Sequence, residues 1–209
     1  MDVIKEGIDI SHWNNDMGPI NFRKVASAGV SFVIIKAGGS DAGFYKDKFF
    51  EANYKAATDA GLDVGAYYFI GPKMLTKEDA EADAKRFYNI IKGKKFSMPI
   101  YLDLETSDPK DKDAATAAAA DFCKWLEKKG YFVGIYASDI SGFGSRVDGN
   151  KLTRFTLWVA RYGREPKRAY DVWQYTSTGR VPGIVGNVDR NYMVRDLPAI
   201  IRKAHKNNY

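Results

Sequence analysis

Two acids stand two residues apart in the run 98–107, MPIYLDLETS, which Pro99 starts and Ser107 closes. Ile100, Tyr101, Leu102, Asp103, Leu104 and Glu105 alternate in character, as strand residues do when the two faces of a strand meet different surroundings. Side chains two apart share a face, so Tyr101, Asp103 and Glu105 point one way and Ile100, Leu102 and Leu104 the other. Two carboxyls on one face repel each other and lose solvation on burial, so one of them keeps its proton to higher pH. A protonated and an ionised carboxyl in one cleft suit acid catalysis of bond cleavage. Alone, an Asp-X-Glu pair is a weak signal, because such pairs also cap helices and bind water. Its weight depends on what the rest of the chain brings beside it.

The elements that must position the pair can be read from periodicity. Short apolar runs at 7–10, 32–37, 64–69, 100–105 and 132–137 alternate with stretches of helical spacing, the pattern of successive strand–helix units. Gly29, Gly61 and Gly130 each follow a helical run and precede a strand, where a left-handed residue stops the helix. Three apolar stripes predict helix faces packed on a sheet: Phe49, Asn53, Ala56, Ala57 and Ala60; Ala80, Ala84, Phe87 and Ile91, begun by Thr76 and Asp79 as a capping box; and Phe122, Trp125, Leu126 and Lys129. The strand-like runs 155–160 and 171–175 stand too close for a helical crossover, which needs at least about 10–12 residues. Between Tyr175 and the strand near Val188, Gly179, Pro182, Gly183 and Gly186 argue for loops or a hairpin. The expected architecture is therefore α/β: five strand–helix units, three shorter strands and a final helix near 192–203. That is a single-domain, irregular TIM-like barrel, (β/α)5(β)3, whose active site lies at the C-terminal ends of the strands.

Closure of the barrel would gather further acids. Asp9 ends the first strand, Asp103 and Glu105 end the fourth, and Asp189 sits in the last, so four acids from three strands share one mouth. Tyr67, Phe69, Tyr136, Trp158 and Trp173 also lie near strand ends. Aromatic faces beside acids suit a sugar-binding cleft, and core filling is the alternative for each of them.

Composition narrows the partners. The 209 residues, 45% hydrophobic, suffice for one well-buried domain and are too few for two of typical size. The net charge of +6 suggests an anionic partner, with the basic residues scattered and not blocked together. Without zinc-ligand spacing, a helix-turn-helix pattern or a basic–aromatic repeat, nucleic acid is disfavoured against an acidic polymer such as a bacterial envelope. The single cysteine, Cys123, lies in an amphipathic run and reads as a buried structural thiol. His12 and His205 lack a second histidine or cysteine at ligand spacing, so no metal and no cofactor are expected. No leader pattern and no long apolar stretch is visible, so neither a signal peptide nor stable membrane insertion is expected.

Eight segments, in order, carry a family resemblance: GIDISHW from Gly7, FVIIKA from Phe32, VGAYYF from Val64, PIYLDLET from Pro99, GIYAS from Gly134, LWVARY from Leu157, VWQYTS from Val172 and NVDRN from Asn187. Together they resemble the glycoside hydrolase family 25 lysozymes over about residues 7–192. The resemblance implies a barrel of five strand–helix units and three strands, and hydrolysis of the β-1,4 bond between N-acetylmuramic acid and N-acetylglucosamine in peptidoglycan. It implies that Glu105 is the general acid, kept protonated by neighbouring acids and an apolar wall, and that Asp9, Asp103 and Asp189 are the acids around it. Lys36, Tyr67, Phe69, Tyr136, Trp158 and Gln174 would line the glycan groove. Tyr68 stands where several relatives carry histidine. Configuration would be retained, with either a carboxylate or the substrate's acetamido oxygen as nucleophile; the acetamido route, oriented by Asp103 or Asp9, is the favoured one.

The partners expected on this basis are peptidoglycan strands and, through the basic surface, anionic wall polymers. Met1 and the lack of a leader favour an endolysin held in the cytoplasm until lysis, against a secreted autolysin, with any wall-binding repeats lying beyond residue 209. A non-hydrolytic wall-binding barrel and a glycosidase for a related N-acetylated polysaccharide are the alternatives.

Overall fold

Strand residues that alternate between two apolar surroundings need a sheet covered on both sides, and here the sheet closes on itself. The computed structural model describes residues 2–106 and 108–209, so Met1 and Ser107 lie outside the described residues. The strands are β1 (Lys5–Ile10), β2 (Phe32–Gly39), β3 (Tyr45–Lys46), β4 (Asp63–Phe69), β5 (Ile100–Asp103), β6 (Val133–Ser138), β7 (Thr156–Ala160), β8 (Val172–Gly179) and β9 (Val188–Met193). The α-helices are α1 (His12–Asp16), α2 (Phe22–Ser27), α3 (Phe50–Asp59), α4 (Lys77–Ile91), α5 (Lys112–Lys128) and α6 (Leu197–Lys203). Sheet order runs β1-β9-β8-β7-β6-β5-β4-β2-β3, and a further β1–β2 pairing joins the ends into a closed barrel of eight strands with β3 outside it. Every barrel strand runs parallel to its neighbours except β9, which is antiparallel to both β8 and β1.

The barrel expected from the sequence is the one found, with local differences. Two short helices, α1 and α2, fill the first crossover, and the fifth is filled by a π-helical turn (Ser141–Arg146) and a 3-10 turn (Gly149–Leu152) instead of an α-helix. β7 and β8 pair in parallel with no helix between them, while β8 and β9 form the hairpin. At eight residues β8 is not a shortened strand. The last helix begins at Leu197 and not near 192, because Tyr192 and Met193 pair with β1 and β8. β5 ends at Asp103, so Glu105 lies two residues beyond the strand. β3, a two-residue antiparallel partner of Gly38 and Gly39, is too short to leave a periodic signal.

Helix ends follow local chemistry. In α4 the Thr76 hydroxyl accepts from the Asp79 N–H at 3.1 Å and the Asp79 carboxylate accepts from the Thr76 N–H at 3.2 Å. Gly29, Gly61 and Gly130, at φ of +91°, +80° and +88°, stop α2, α3 and α5. The buried face of α3 is Phe50, Asn53 and Ala57, with Phe49 at its N-cap and Ala56 exposed. The predicted stripe Ala80, Ala84, Phe87 and Ile91 is buried on α4, and Cys123 is a buried free thiol on α5.

Two apolar layers result. Outward-facing residues such as Ile8, Val33, Ile35, Tyr68, Leu102 and Leu104 pack against the helices. Inward-facing Phe32, Ile34, Tyr67, Tyr101, Tyr136, Trp158, Val172 and Met193 fill the barrel. Large side chains fit there because small ones face them: a Cβ at Gly7 would stand 2.4 Å from the Phe32 ring, and one at Gly134 would stand 2.4 Å from the Tyr101 ring. Gly134→Ala is accordingly expected to lower stability by about 1–3 kcal/mol through overpacking. Urea unfolding checks this, and an unchanged midpoint would mean that the Tyr101 ring has room to move.

Candidate active site

Strand register places the polar residues in one interior layer at the mouth. Asp9 pairs with Asp189 across β1 and β9, Lys36 with Tyr67 across β2 and β4, Phe69 with Asp103 across β4 and β5, Asp103 with Tyr136 across β5 and β6, and Gln174 with Asn191 across β8 and β9. The mouth lies at the C-terminal ends of the parallel strands, where antiparallel β9 begins; Asp189 is the second residue of that strand.

Asp9 is the most fixed of these groups. One of its carboxyl oxygens accepts from the Gln174 amide at 2.9 Å and from the Asn191 amide at 2.8 Å. Both amides are themselves aligned. The Trp158 indole N–H, which can only donate, reaches the Asn191 carbonyl at 2.7 Å, and the Tyr136 and Tyr162 hydroxyls reach the Gln174 carbonyl at 2.8 and 2.9 Å. Burial, and after it the Asp189 charge, raise the Asp9 carboxyl far above the usual carboxylate range, against the pull of the two amides. Asp189 is pushed up to about 6, first by burial and also by the charge of Glu105, while a hydrogen bond from Asp9 favours its ionised form. The pair therefore holds a proton on Asp9 and shares it toward Asp189.

Asp103 and Glu105 are neighbours at the mouth but differ in burial. Asp103 is 4% exposed, and its Oδ1 is buried without a hydrogen-bond partner. Burial and then the Glu105 charge raise its pKa, opposed by Lys36. The apolar enclosure expected around Glu105 thus belongs to Asp103, and Glu105 itself is exposed. The Glu105 charge acts on Asp103, Tyr136, Tyr162 and Asp189, which places its carboxyl at the same mouth. Lys36 is held over aromatic faces, its ammonium 4.5 Å from the Phe69 centroid and 6.0 Å from that of Tyr67.

The aromatic residues divide. Trp158 is 1% exposed, with its ring 4.3 Å from Tyr136, 5.1 Å from Tyr101 and 6.1 Å from Tyr67, so it packs the barrel and fixes Asn191. Trp173 does not join the mouth: being one residue before Gln174 it faces outward, meets Tyr175 and Tyr192 edge to face, and donates to the Arg161 carbonyl at 2.7 Å. Tyr68 also faces outward, stacked on Phe87 and Phe122 with its hydroxyl 3.4 Å from Asp83, so its departure from histidine lies on the side away from the acids. His12 lies 3.1 Å from the Asp47 carboxylate. Among the described residues, no group of three or more His, Cys, Asp or Glu is arranged to hold a metal ion, and no helix is long and apolar enough to cross a membrane.

Asn191 and Tyr162 are site residues that the sequence reading missed. Asn191 stands two residues after Asp189 on a strand, so the same-face rule would have found it. Tyr162 sits in the loop after β7 and leaves no periodic signal.

A closed strand–helix barrel that gathers acids from several strands at the C-terminal mouth has the build of a barrel glycoside hydrolase. The chain belongs to glycosyl hydrolases family 25, whose family model matches residues 8–184. It is similar to Lysozyme M1 of Streptomyces globisporus, 32% identical over 206 residues; the match covers 89% of this chain and 66%, just under two thirds, of that protein. Among solved structures it resembles the bacterial lysozyme from Streptomyces coelicolor, with a TM-score of 0.79 and 30% identity over 96% of this chain and 98% of that one. It also resembles the CTP1L endolysin, with a TM-score of 0.82 and 27% identity over 96% of this chain and 70% of that one.

Because Asp189 titrates higher in the fold than its usual 3.8, ionising it costs more in the folded than in the unfolded chain. Its protonated form contributes fully below pH ~4, and that contribution is lost as pH rises through the folded value. Asp189→Asn should therefore raise stability above pH 7 by about 1–2 kcal/mol and give no gain near pH 4. Thermal melts across this range check it, and a gain that persists at pH 4 would contradict the assignment.

Proposed function

We propose that the chain is a lysozyme, an N-acetylmuramidase that cleaves the β-1,4 bond between N-acetylmuramic acid and N-acetylglucosamine in bacterial peptidoglycan with net retention. The observation that carries this reading is a division among the acids: Asp9 and Asp103 are buried and favour their protonated forms, whereas Glu105 stands exposed at the mouth they line. A proton donor must touch the glycosidic oxygen, and Glu105 is the acid that a polymer lying across the mouth can reach.

In this mechanism the Glu105 carboxyl gives its proton to the glycosidic oxygen as the bond from that oxygen to the anomeric carbon breaks. The acetamido oxygen of the same sugar attacks the anomeric carbon from the opposite side. Glu105, now ionised, takes a proton from water, which opens the resulting ring from the face the leaving group vacated, and configuration is retained. Asp103 orients the acetamido group. Its unpartnered buried oxygen lacks a donor, and the acetamido N–H is a donor of the right kind. Asp189, pushed up to about 6 and so mostly ionised at neutral pH, stabilises positive charge developing on the sugar ring. Lys36, Tyr67, Phe69, Tyr136 and Gln174 shape the groove floor, and Trp158 acts through Asn191 on Asp9. The lysozyme and endolysin relatives support the bacterial wall as the place of action, with peptidoglycan strands as partner and anionic wall polymers as a secondary attraction for the basic surface.

Glu105→Gln should lower release of reducing ends from purified peptidoglycan by about 10²–10⁴-fold. Mass spectra of the digest should show muramic acid at the new reducing ends. Glucosamine at those ends would indicate a different glycosidase, and unsubstituted protein that releases no ends would leave a binding barrel.

A further inference from the structure

Beside the acidic mouth, the loops after β6 and β7 border an open surface groove, a cavity of opposite character. It has a volume of about 510 Å³ and is lined by Asp139, Arg161, Arg164, Lys167 and Arg168, with Gly144 and Ser145 on one wall. Asp139 follows β6 directly and Arg161 follows β7, so the cavity opens at the same end of the barrel as Tyr136 and Tyr162.

The cations divide into two kinds. Arg161 and Arg168 are both bound by the Asp139 carboxylate, the Arg168 Nε at 2.7 Å, and Arg168 also donates to the Asp139 carbonyl at 2.9 Å. Against the effect of burial, these two guanidinium groups hold the Asp139 carboxyl below its ordinary range, so it remains their counter-charge. The Lys167 backbone N–H reaches the same carboxylate at 3.4 Å, which ties the loop down. The Arg164 and Lys167 side chains are exposed, and among the described residues they enter no ion pair or hydrogen bond. Four cationic side chains against one acid leave the cavity with a surplus of positive charge, carried by the two that are free.

A cationic cavity whose walls are fixed and whose outer cations are free is built for an oxyanion. Its position beside the mouth puts it within reach of an anionic substituent on a glycan lying there. The substituent that leaves a muramic acid ring through its lactyl ether is a peptide, and its carboxylates are planar groups that match the guanidinium fork. We propose that this cavity is a carboxylate-binding subsite for the peptide attached to muramic acid, with Arg164 and Lys167 as the groups that meet it. The subsite rests on the muramidase reading and adds a selectivity to it: glycan that carries peptide is cut in preference to bare glycan.

The test compares kcat/KM on peptidoglycan stripped of phosphate polymers with kcat/KM on the same glycan freed of peptide by an amidase. In the unsubstituted protein the ratio favours the peptide-bearing glycan. In the double variant Arg164→Gln, Lys167→Gln it should fall about tenfold, mostly through KM. The same loss of charge at Arg23 and Lys24 on α2 should leave the ratio where it was. An equal fall in that control, or an unmoved ratio in the double variant, overturns the proposal. A defect seen with untreated walls that vanishes once phosphate polymers are removed also overturns it, and assigns the cavity to phosphate. No cleavage of either substrate by the unsubstituted protein sinks the muramidase reading itself.

Discussion

The site depends on a carboxyl placed inside a barrel, where it has no access to bulk water. Asp9 is 5% exposed and faces a second acid, Asp189, across the β1–β9 pair. A group so placed persists when its lone pairs are met and its charge is suppressed, and the fold provides both. Two amides donate to one oxygen, and a proton held against Asp189 covers the other. Each amide is then fixed by a buried aromatic donor, Asn191 by Trp158 and Gln174 by Tyr136, and exposed Tyr162 adds a second donor to Gln174. The antiparallel strand β9 makes this possible. By running against β1 it brings Asp189 opposite Asp9 and Asn191 beside Gln174 in one register.

The same aromatic residues fill the barrel, so packing and chemistry are joined there. Tyr101, Tyr136 and Trp158 occupy the interior because Gly134 makes no claim on it. Above them the layer changes from apolar to polar within one step along three strands: Tyr101 to Asp103, Val172 to Gln174, and Met193 to Asn191 and on to Asp189. A floor of rings excludes water from below and lowers the local dielectric under the acids. The raised carboxyls of Asp9 and Asp103 are the electrostatic result of that floor.

Much of this was legible in the sequence because the barrel's faces obey period two. The alternation of Ile100 to Leu104 was read correctly, as were the glycine stops and the Thr76 cap, and of the loops or hairpin expected after Tyr175 the hairpin of β8 and β9 is what forms. Periodicity stopped informing where the backbone left the strand. Glu105 lies beyond the end of β5 at Asp103, so alternation could put the two acids side by side but could not tell that one is exposed and the other buried. Trp173 was grouped with the mouth by proximity in sequence, although parity with Gln174 sends it outward. Asn191 was passed over because an amide beside an acid draws less notice than another acid, even though the same parity that found Asp189 includes it. The helix near 192 was begun too early because Tyr192 and Met193 are apolar in both periods, and only their pairing with β1 decides between them.

The exposure of Glu105 beside buried Asp103 bears on how the two acids divide their work. A general acid must gain and lose a proton in each cycle, which is easier for a group in contact with solvent and substrate than for one sealed under apolar walls. A group that orients a neutral amide has the opposite need, a fixed position and little exchange. Asp103 has that position, with Lys36 held beside it by the rings of Phe69 and Tyr67. Lys36 opposes the effects of burial and of Glu105 on Asp103, so its removal would shift Asp103 further toward the neutral form. The charges around the mouth are thereby graded: a protonated acid at Asp9, a mostly ionised one at Asp189, a buried acid tempered by a lysine at Asp103, and an open one at Glu105. That gradation follows from burial more than from residue type, since aspartate occupies three of the four places and serves differently in each.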